Sequence, residues 1–228
     1  MSEAGPGDED AVNEDAVNEG PVNGNTVPRG RRAAVVLAVL VLIAGAVLVT
    51  MAVARSGRPG TDGPEAGFAR DMSAHHAQAV RMSFIVRERT DDPEVRLLAY
   101  DIITTQQAQI GMMTAWLDEW GLPKADPTGR MRWMSGHGGH RGGAAAMPGL
   151  ATRGQLAELE KASARPAEVL FLRLMIAHHR GGVAMAEAVL ARTGHDRVRR
   201  LAGTMVEGQR SEMARMNAML RERGAPAA

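Results

Sequence analysis

Residues 68–83 (FARDMSAHHAQAVRMS) recur 103 positions later as residues 171–186 (FLRLMIAHHRGGVAMA), and the same offset runs on without an insertion to Pro123 and Pro226. More than a third of the 56 aligned positions are identical. Among them are Phe68/Phe171, Met72/Met175, His75/His178, His76/His179, Met82/Met185, Gln106/Gln209, Met113/Met216 and Gly121/Gly224. A gapless duplication of this length means that one supersecondary unit is built twice and that the two copies share a core.

Each copy reads as two helices. The first unit predicts helices over about 66–89 and 93–120. Asp92 is a plausible N-cap, Pro93 takes the first helical position, and Gly121 and Pro123 are stop signals. In the second unit Pro166 is expected to open a helix to about 192, and Asp196 to cap one ending before Gly224. No stretch alternates with β-branched residues at period two, so the fold class is all-α: an antiparallel four-helix bundle over residues 67–223, from repeats 68–123 and 171–226. The repeats are joined by a glycine-rich segment (124–152) centred on MRWMSGHGGHRGG, before a short helix with a Thr152/Gln155 capping box.

The bundle is preceded by three other segments. Residues 1–32 hold seven acids and three arginines and repeat as EDAVN, EDAVN, EGPVN, which predicts a disordered acidic tail. Residues 33–54 carry no charge and are long enough to span the roughly 30 Å of a bilayer core. Residues 55–66 read as a linker. Arg29, Arg31 and Arg32 before the apolar run place the N-terminus in the cytoplasm and the bundle outside, in a single-pass protein of the cell membrane. The competing expectation is a signal peptide cleaved after Ala52-Val53-Ala54, although the run exceeds the usual h-region; both readings export the bundle.

On the first helix of each unit the repeated residues form one stripe. Met72, His75, His76, Ala79 and Met82 share an arc of roughly 120°, as do Met175, His178, His179, Gly182 and Met185. On the partner helices Gln106, Gln109, Met112 and Met113, and then Gln209, Glu212, Met213 and Met216, share faces from which polar groups could meet the histidines. The chain has 15 Met and no Cys, with an aromatic share of only 3%. Imidazole and thioether donors without thiolates or clustered carboxylates favour a soft or borderline metal, copper above all and Cu(I) in particular. A di-iron or di-manganese centre would need Glu-x-x-His pairs, and neither stripe has one. His137 and His140 in the glycine segment are further candidate ligands.

The alternative is that the His pairs only organise the core, hydrogen-bonded to Gln106 or Gln209, with Met113, Met205, Met213 and Met219 as packing. No hydroxyl, thiol or carboxylate constellation suits catalysis, so an enzyme is not expected. Near balance of 27 basic and 26 acidic residues gives no reason to expect nucleic acid, and nothing indicates a particular protein partner.

This arrangement, from Phe68 and His75-His76 through Met147-Pro148-Gly149 to His178-His179, Gly181 and Met185, resembles the family of domain of unknown function 305. The resemblance implies a ferritin-like bundle, exported or membrane-anchored, with copper binding in some members. Carried over, it implicates Met72, His75, His76, Met82, Met175, His178, His179 and Met185 as ligands. Ala77 and Gln78 stand where the second motif has Arg180 and Gly181, a departure that bears on whether the two halves bind equally.

Overall fold

A computed structural model describes residues 29–56, 58–126, 129–134 and 147–228. The acidic tail and the candidate ligands His137 and His140 lie outside the described residues. By contacts the chain forms two units, residues 1–56 and 57–228. In the first, α1 (Arg29–Ser56) contains a 22-residue stretch, Gly30–Met51, long and apolar enough to cross a bilayer by length and composition.

The second unit is all helical among the described residues: α2 (Pro64–Arg87), α3 (Pro93–Trp120), a 3-10 turn (Arg132–Met134), α4 (Arg153–Lys161), α5 (Ala164–Leu190) and α6 (Asp196–Glu222). The α2–α3 and α5–α6 hairpins pack through α2 and α5. These two run antiparallel, because Thr90 beyond the end of α2 donates to Glu168 near the start of α5, while Thr193 beyond the end of α5 donates to Glu65 at the start of α2 (both 2.6 Å). The two bonds are the same bond under the 103-residue offset, so the duplication is realised as a pseudo-two-fold axis between α2 and α5.

The turns within the hairpins repeat as well. The backbone N–H groups of Asp92 and His195 donate to Thr90 and Thr193, each at 3.0 Å. The guanidinium groups of Arg96 and Arg199 reach back to the carbonyls of Arg87 and Thr90, and of Leu190 and Thr193. Asp92 caps α3 through Glu94 and Val95 as expected, Gly121 closes it at φ 69°, and the Thr152/Gln155 capping box opens α4.

Two helix starts differ from expectation. The N-cap of α6 is His195, which holds the position aligned with Asp92, and Asp196 is the first helical residue, where its charge still meets the helix dipole. Helix α5 begins at Ala164, two residues before Pro166, because first-turn N–H groups lack intrahelical acceptors and a proline there forfeits no bond.

Asp71, which flanks the α2 stripe, is buried and accepts from the backbone N–H of Met131 (2.7 Å) and from Trp133 Nε1 (2.9 Å), holding the 3-10 turn against α2. Burial raises its carboxyl above the ordinary range, with both hydrogen bonds opposing. Asp71→Ala is expected to cost about 2–3 kcal/mol by leaving two buried donors unpaired. Urea unfolding would measure the loss, together with a red shift of tryptophan emission as Trp133 leaves Phe68, now 5.9 Å away edge-on.

Candidate metal centre

All ten stripe positions are buried, with side chains at most 1% exposed apart from Gly182, which is also buried. The four histidines form a layer across the α2–α5 crossing. The His75 and His178 rings face each other with centroids 3.8 Å apart and planes 32° from parallel, on the pseudo-two-fold axis. His76 and His179 point away from it toward α3 and α6. Their ring centroids are 6.4 and 6.2 Å from their neighbours His75 and His178.

Every imidazole uses Nε2 in the same way. His75 Nε2 lies 3.0 Å from the carbonyl oxygen of Pro148 and His178 Nε2 lies 2.9 Å from that of His75. His76 Nε2 lies 2.7 Å from Gln109 Oε1 and His179 Nε2 lies 2.5 Å from Glu212 Oε2. Each partner is an oxygen acceptor, so each Nε2 carries the proton and donates it. Nδ1 of a neutral ring then keeps a lone pair, and all four Nδ1 atoms are buried without a hydrogen-bond partner. Burial also holds three of the rings neutral. Desolvation lowers His75 to about 4 and His76 to about 3, and puts His178 well below the usual imidazole value. Imidazoles with one nitrogen anchored and the other free are in the state that metal ligation requires.

The methionines sit on both sides of this layer, in two apolar clusters. Met72 from α2, Met185 from α5 and Met113 from α3 belong to one, and Met175, Met82 and Met216 belong to the other. The two triplets interchange under the 103-residue offset. Met205 and Met219 are also buried core residues, and Met213 packs at the margin of both clusters. Among the described residues no three His, Asp or Glu side chains gather closely enough to hold a metal by themselves.

The structure corrects one expected pairing. Gln106 and Gln209 do not take up the histidines; their Oε1 atoms are buried without partners, and the acceptors stand one helical turn further along, at Gln109 and Glu212. Gly182 is small for a reason, since a Cβ there would come within 2.4 Å of Gln209 Oε1.

Sequence reasoning did not anticipate the part played by the connection Met147–Ala151. Its Pro148 carbonyl is the acceptor for His75, and it lies so close to α5 that a Cβ on Gly181 would fall 2.0 Å from Pro148 O. At Gly149, with φ 75°, an added Cβ would likewise fall 2.2 Å from the Ala177 carbonyl oxygen. On the α2 side Gln78, aligned with Gly181, clamps Ala151 by accepting from its N–H (2.7 Å) and donating to its carbonyl (3.0 Å). One connection crosses a two-fold site, so the residues beneath it differ: an amide that grips on α2, a missing side chain on α5. The departure at positions 78 and 181 was the available signal.

Residues 65–220 match the family described as Domain of unknown function (DUF305). The chain is similar to a DUF305 protein of Streptomyces coelicolor, with 49% identity and a TM-score of 0.69 over 74% of this chain and 99% of that one. It is also similar to CopM in its Cu(II)-bound form, with 26% identity and a TM-score of 0.55 over 70% of this chain and 97% of that one. A curated relative, uncharacterized protein L153 of Acanthamoeba polyphaga mimivirus, is 46% identical over 48 residues, which are 21% of this chain and only 32% of the viral protein.

Proposed function

The chain belongs to the DUF305 family, and from that premise we propose that it is an exported, membrane-anchored protein that binds copper or a similar soft metal through His and Met and acts as a scavenger or carrier rather than an enzyme. The observation that carries this reading is the set of four buried, partnerless Nδ1 atoms, each ring fixed by a hydrogen bond from Nε2, with thioethers on both sides. A core histidine kept for packing alone would satisfy both nitrogens or reach solvent, because an orphaned buried acceptor is costly. The similarity to CopM, whose solved form holds Cu(II), supports the choice of metal.

The expected ligands are His75, His76, His178 and His179 through Nδ1 and Met72, Met82, Met175 and Met185 through sulfur. Thioethers carry no proton and burial keeps His75, His76 and His178 neutral at pH 7, so a metal ion enters without displacing protons from them, and thioether bonds exchange readily, as a carrier requires. Oxidation outside the cell would disable thiolates, which this chain lacks. In this reading α1 is the membrane anchor, the N-terminus is cytoplasmic and the bundle lies outside the cell.

The test replaces sulfur and keeps volume. The full chain in detergent is titrated with Cu(I) and Cu(II) against a competing chelator, beside a variant with Met72, Met82, Met175 and Met185 all changed to Leu. Each Met→Leu change is expected to cost less than about 1.5 kcal/mol in stability. Cu(I) affinity is expected to fall at least about 100-fold, the upper end of what losing outer partners of a metal site costs. Unchanged uptake would favour a structural module whose His pairs organise the core. Loss of uptake only on changing His137 and His140 to Ala would move the site to the glycine segment.

A further inference from the structure

The two halves of the histidine layer share repeated residues almost throughout: Met72/Met175, Met82/Met185, Gln106/Gln209 and Met113/Met216 are identical pairs. The acceptors that fix the outer imidazoles are not. Under the same offset Gln109 becomes Glu212, so His76 donates to a neutral amide and His179 to a carboxylate, with nearly the same geometry (2.7 and 2.5 Å). Nearby cations do not cancel that carboxylate. Arg210 is paired with Glu187 at 2.6 Å and Arg215 lies 3.8 Å from Asp101, while the contact that Glu212 makes is the hydrogen bond from His179.

From this we infer that the two halves sort metal ions by charge: the His76–Gln109 half takes a soft monovalent ion of the Cu(I) type, and the His179–Glu212 half takes a divalent ion of the Cu(II) type. The inference rests on the metal-binding reading above and adds selectivity to it. The cost of burying an ion rises with the square of its charge, so a divalent ion among neutral ligands is penalised about four times as heavily as a monovalent one. A carboxylate behind the ligating imidazole offsets one unit of that charge. It also draws the Nε2 proton toward itself, making Nδ1 a more basic and harder donor. Glu212 keeps 27% of its side-chain exposure, so its charge needs no full desolvation before a metal arrives. Gln109 offers the same hydrogen bond without the charge, which leaves a neutral site suited to an ion that is easily desolvated and prefers sulfur. Glu212 is thus a positioning and charge-matching residue that acts through His179.

The experiment uses the metal-free full chain in detergent at pH 7, with Ag(I) as the redox-inert monovalent probe and Cu(II) as the divalent one. Equilibrium dialysis measures affinity for each, and electron paramagnetic resonance counts bound Cu(II). Glu212→Gln is expected to weaken Cu(II) binding 10- to 100-fold while Ag(I) affinity stays within about 3-fold, and retained Ag(I) binding shows that the variant is folded. Gln109→Glu is expected to add a second Cu(II) centre. Equal weakening of both ions by Glu212→Gln would overturn the inference by reducing Glu212 to a structural role, and so would a Gln109→Glu variant that gains no Cu(II). If the unaltered chain bound neither ion, the metal-binding reading itself would fall, and the charge sorting with it.

Discussion

Acidification from pH 7 to 4.5 is expected to remove most of the stability of the metal-free bundle, starting near pH 6.5. The cause is the buried layer. His75 titrates at about 4 in the folded state, His76 at about 3 and His178 well below the ordinary imidazole value, in each case chiefly because burial penalises the charged ring. In the unfolded chain the same rings take up protons near pH 6.5. Between about 6.5 and 4 the unfolded state therefore binds more protons than the folded one, and stability falls with falling pH. Each such histidine contributes a slope of about 1.4 kcal/mol per pH unit, so His75 and His76 over two units amount to roughly 6 kcal/mol, and His178 adds in the same direction. That is comparable with the whole stability of an ordinary domain, about 5–15 kcal/mol. Asp71 acts in the opposite sense, because a carboxyl raised by burial is protonated first in the folded state, but it is one group against three. Urea unfolding of the full chain in detergent, followed by circular dichroism from pH 7.5 to 4.5, would measure the slope. Stability flat down to pH 5, with loss only in the carboxylate range, would refute buried neutral histidines.

Gly181→Ala is the substitution expected to do the most damage for its size. A methyl group at that position would lie 2.0 Å from the Pro148 carbonyl oxygen, a backbone atom that cannot swing aside as a side-chain tip would. The connection must lift, and it is tethered just beyond the contact by the two hydrogen bonds between Ala151 and Gln78. Lifting it takes the acceptor away from His75 Nε2. Overpacking costs about 1–3 kcal/mol and a buried donor left unpaired about 1–3 more, so a total of about 2–6 kcal/mol is expected. Gly208→Ala in α6, with nothing within 4 Å of the added Cβ, is the control. It is expected to stabilise by about 0.5–1 kcal/mol, since alanine is the better helix former. Opposite signs in paired thermal unfolding experiments would locate the effect in the contact with Pro148; equal signs would remove it.

The bundle was legible from the sequence because a gapless repeat, helix periodicity and caps such as Asp92 and Gly121 all act locally. The stripes were legible for the same reason, since three-, four- and seven-residue spacings place Met72, His75, His76 and Met82 on one face whatever that face meets. What the face meets was not legible. Gln106 and Gln109 both project toward α2, and only the axial stagger of α2 against α3 decides which of them reaches His76. Nor does helix periodicity say anything about an irregular connection, so Pro148 as an acceptor could not be read from Met147-Pro148-Gly149. Asp71 looked like a charge beside the stripe because its partners, Met131 and Trp133, come from sixty residues away. At the start of α6 a helix-favouring Asp196 hid the register, although alignment with Asp92 already pointed to position 195.

The division of the methionines has a consequence for how such a chain could have arisen. Each sulfur cluster draws on both hairpins: Met72 and Met113 from the first meet Met185 from the second, and Met175 and Met216 from the second meet Met82 from the first. His178 likewise borrows its acceptor from the backbone of His75. Neither hairpin owns a cluster, so a lone ancestral hairpin with a single stripe could complete one only by pairing antiparallel with another copy of itself. In that homodimer positions 109 and 212 were necessarily the same residue. Fusion into one chain is what made it possible for one of them to become an acid while the other stayed an amide.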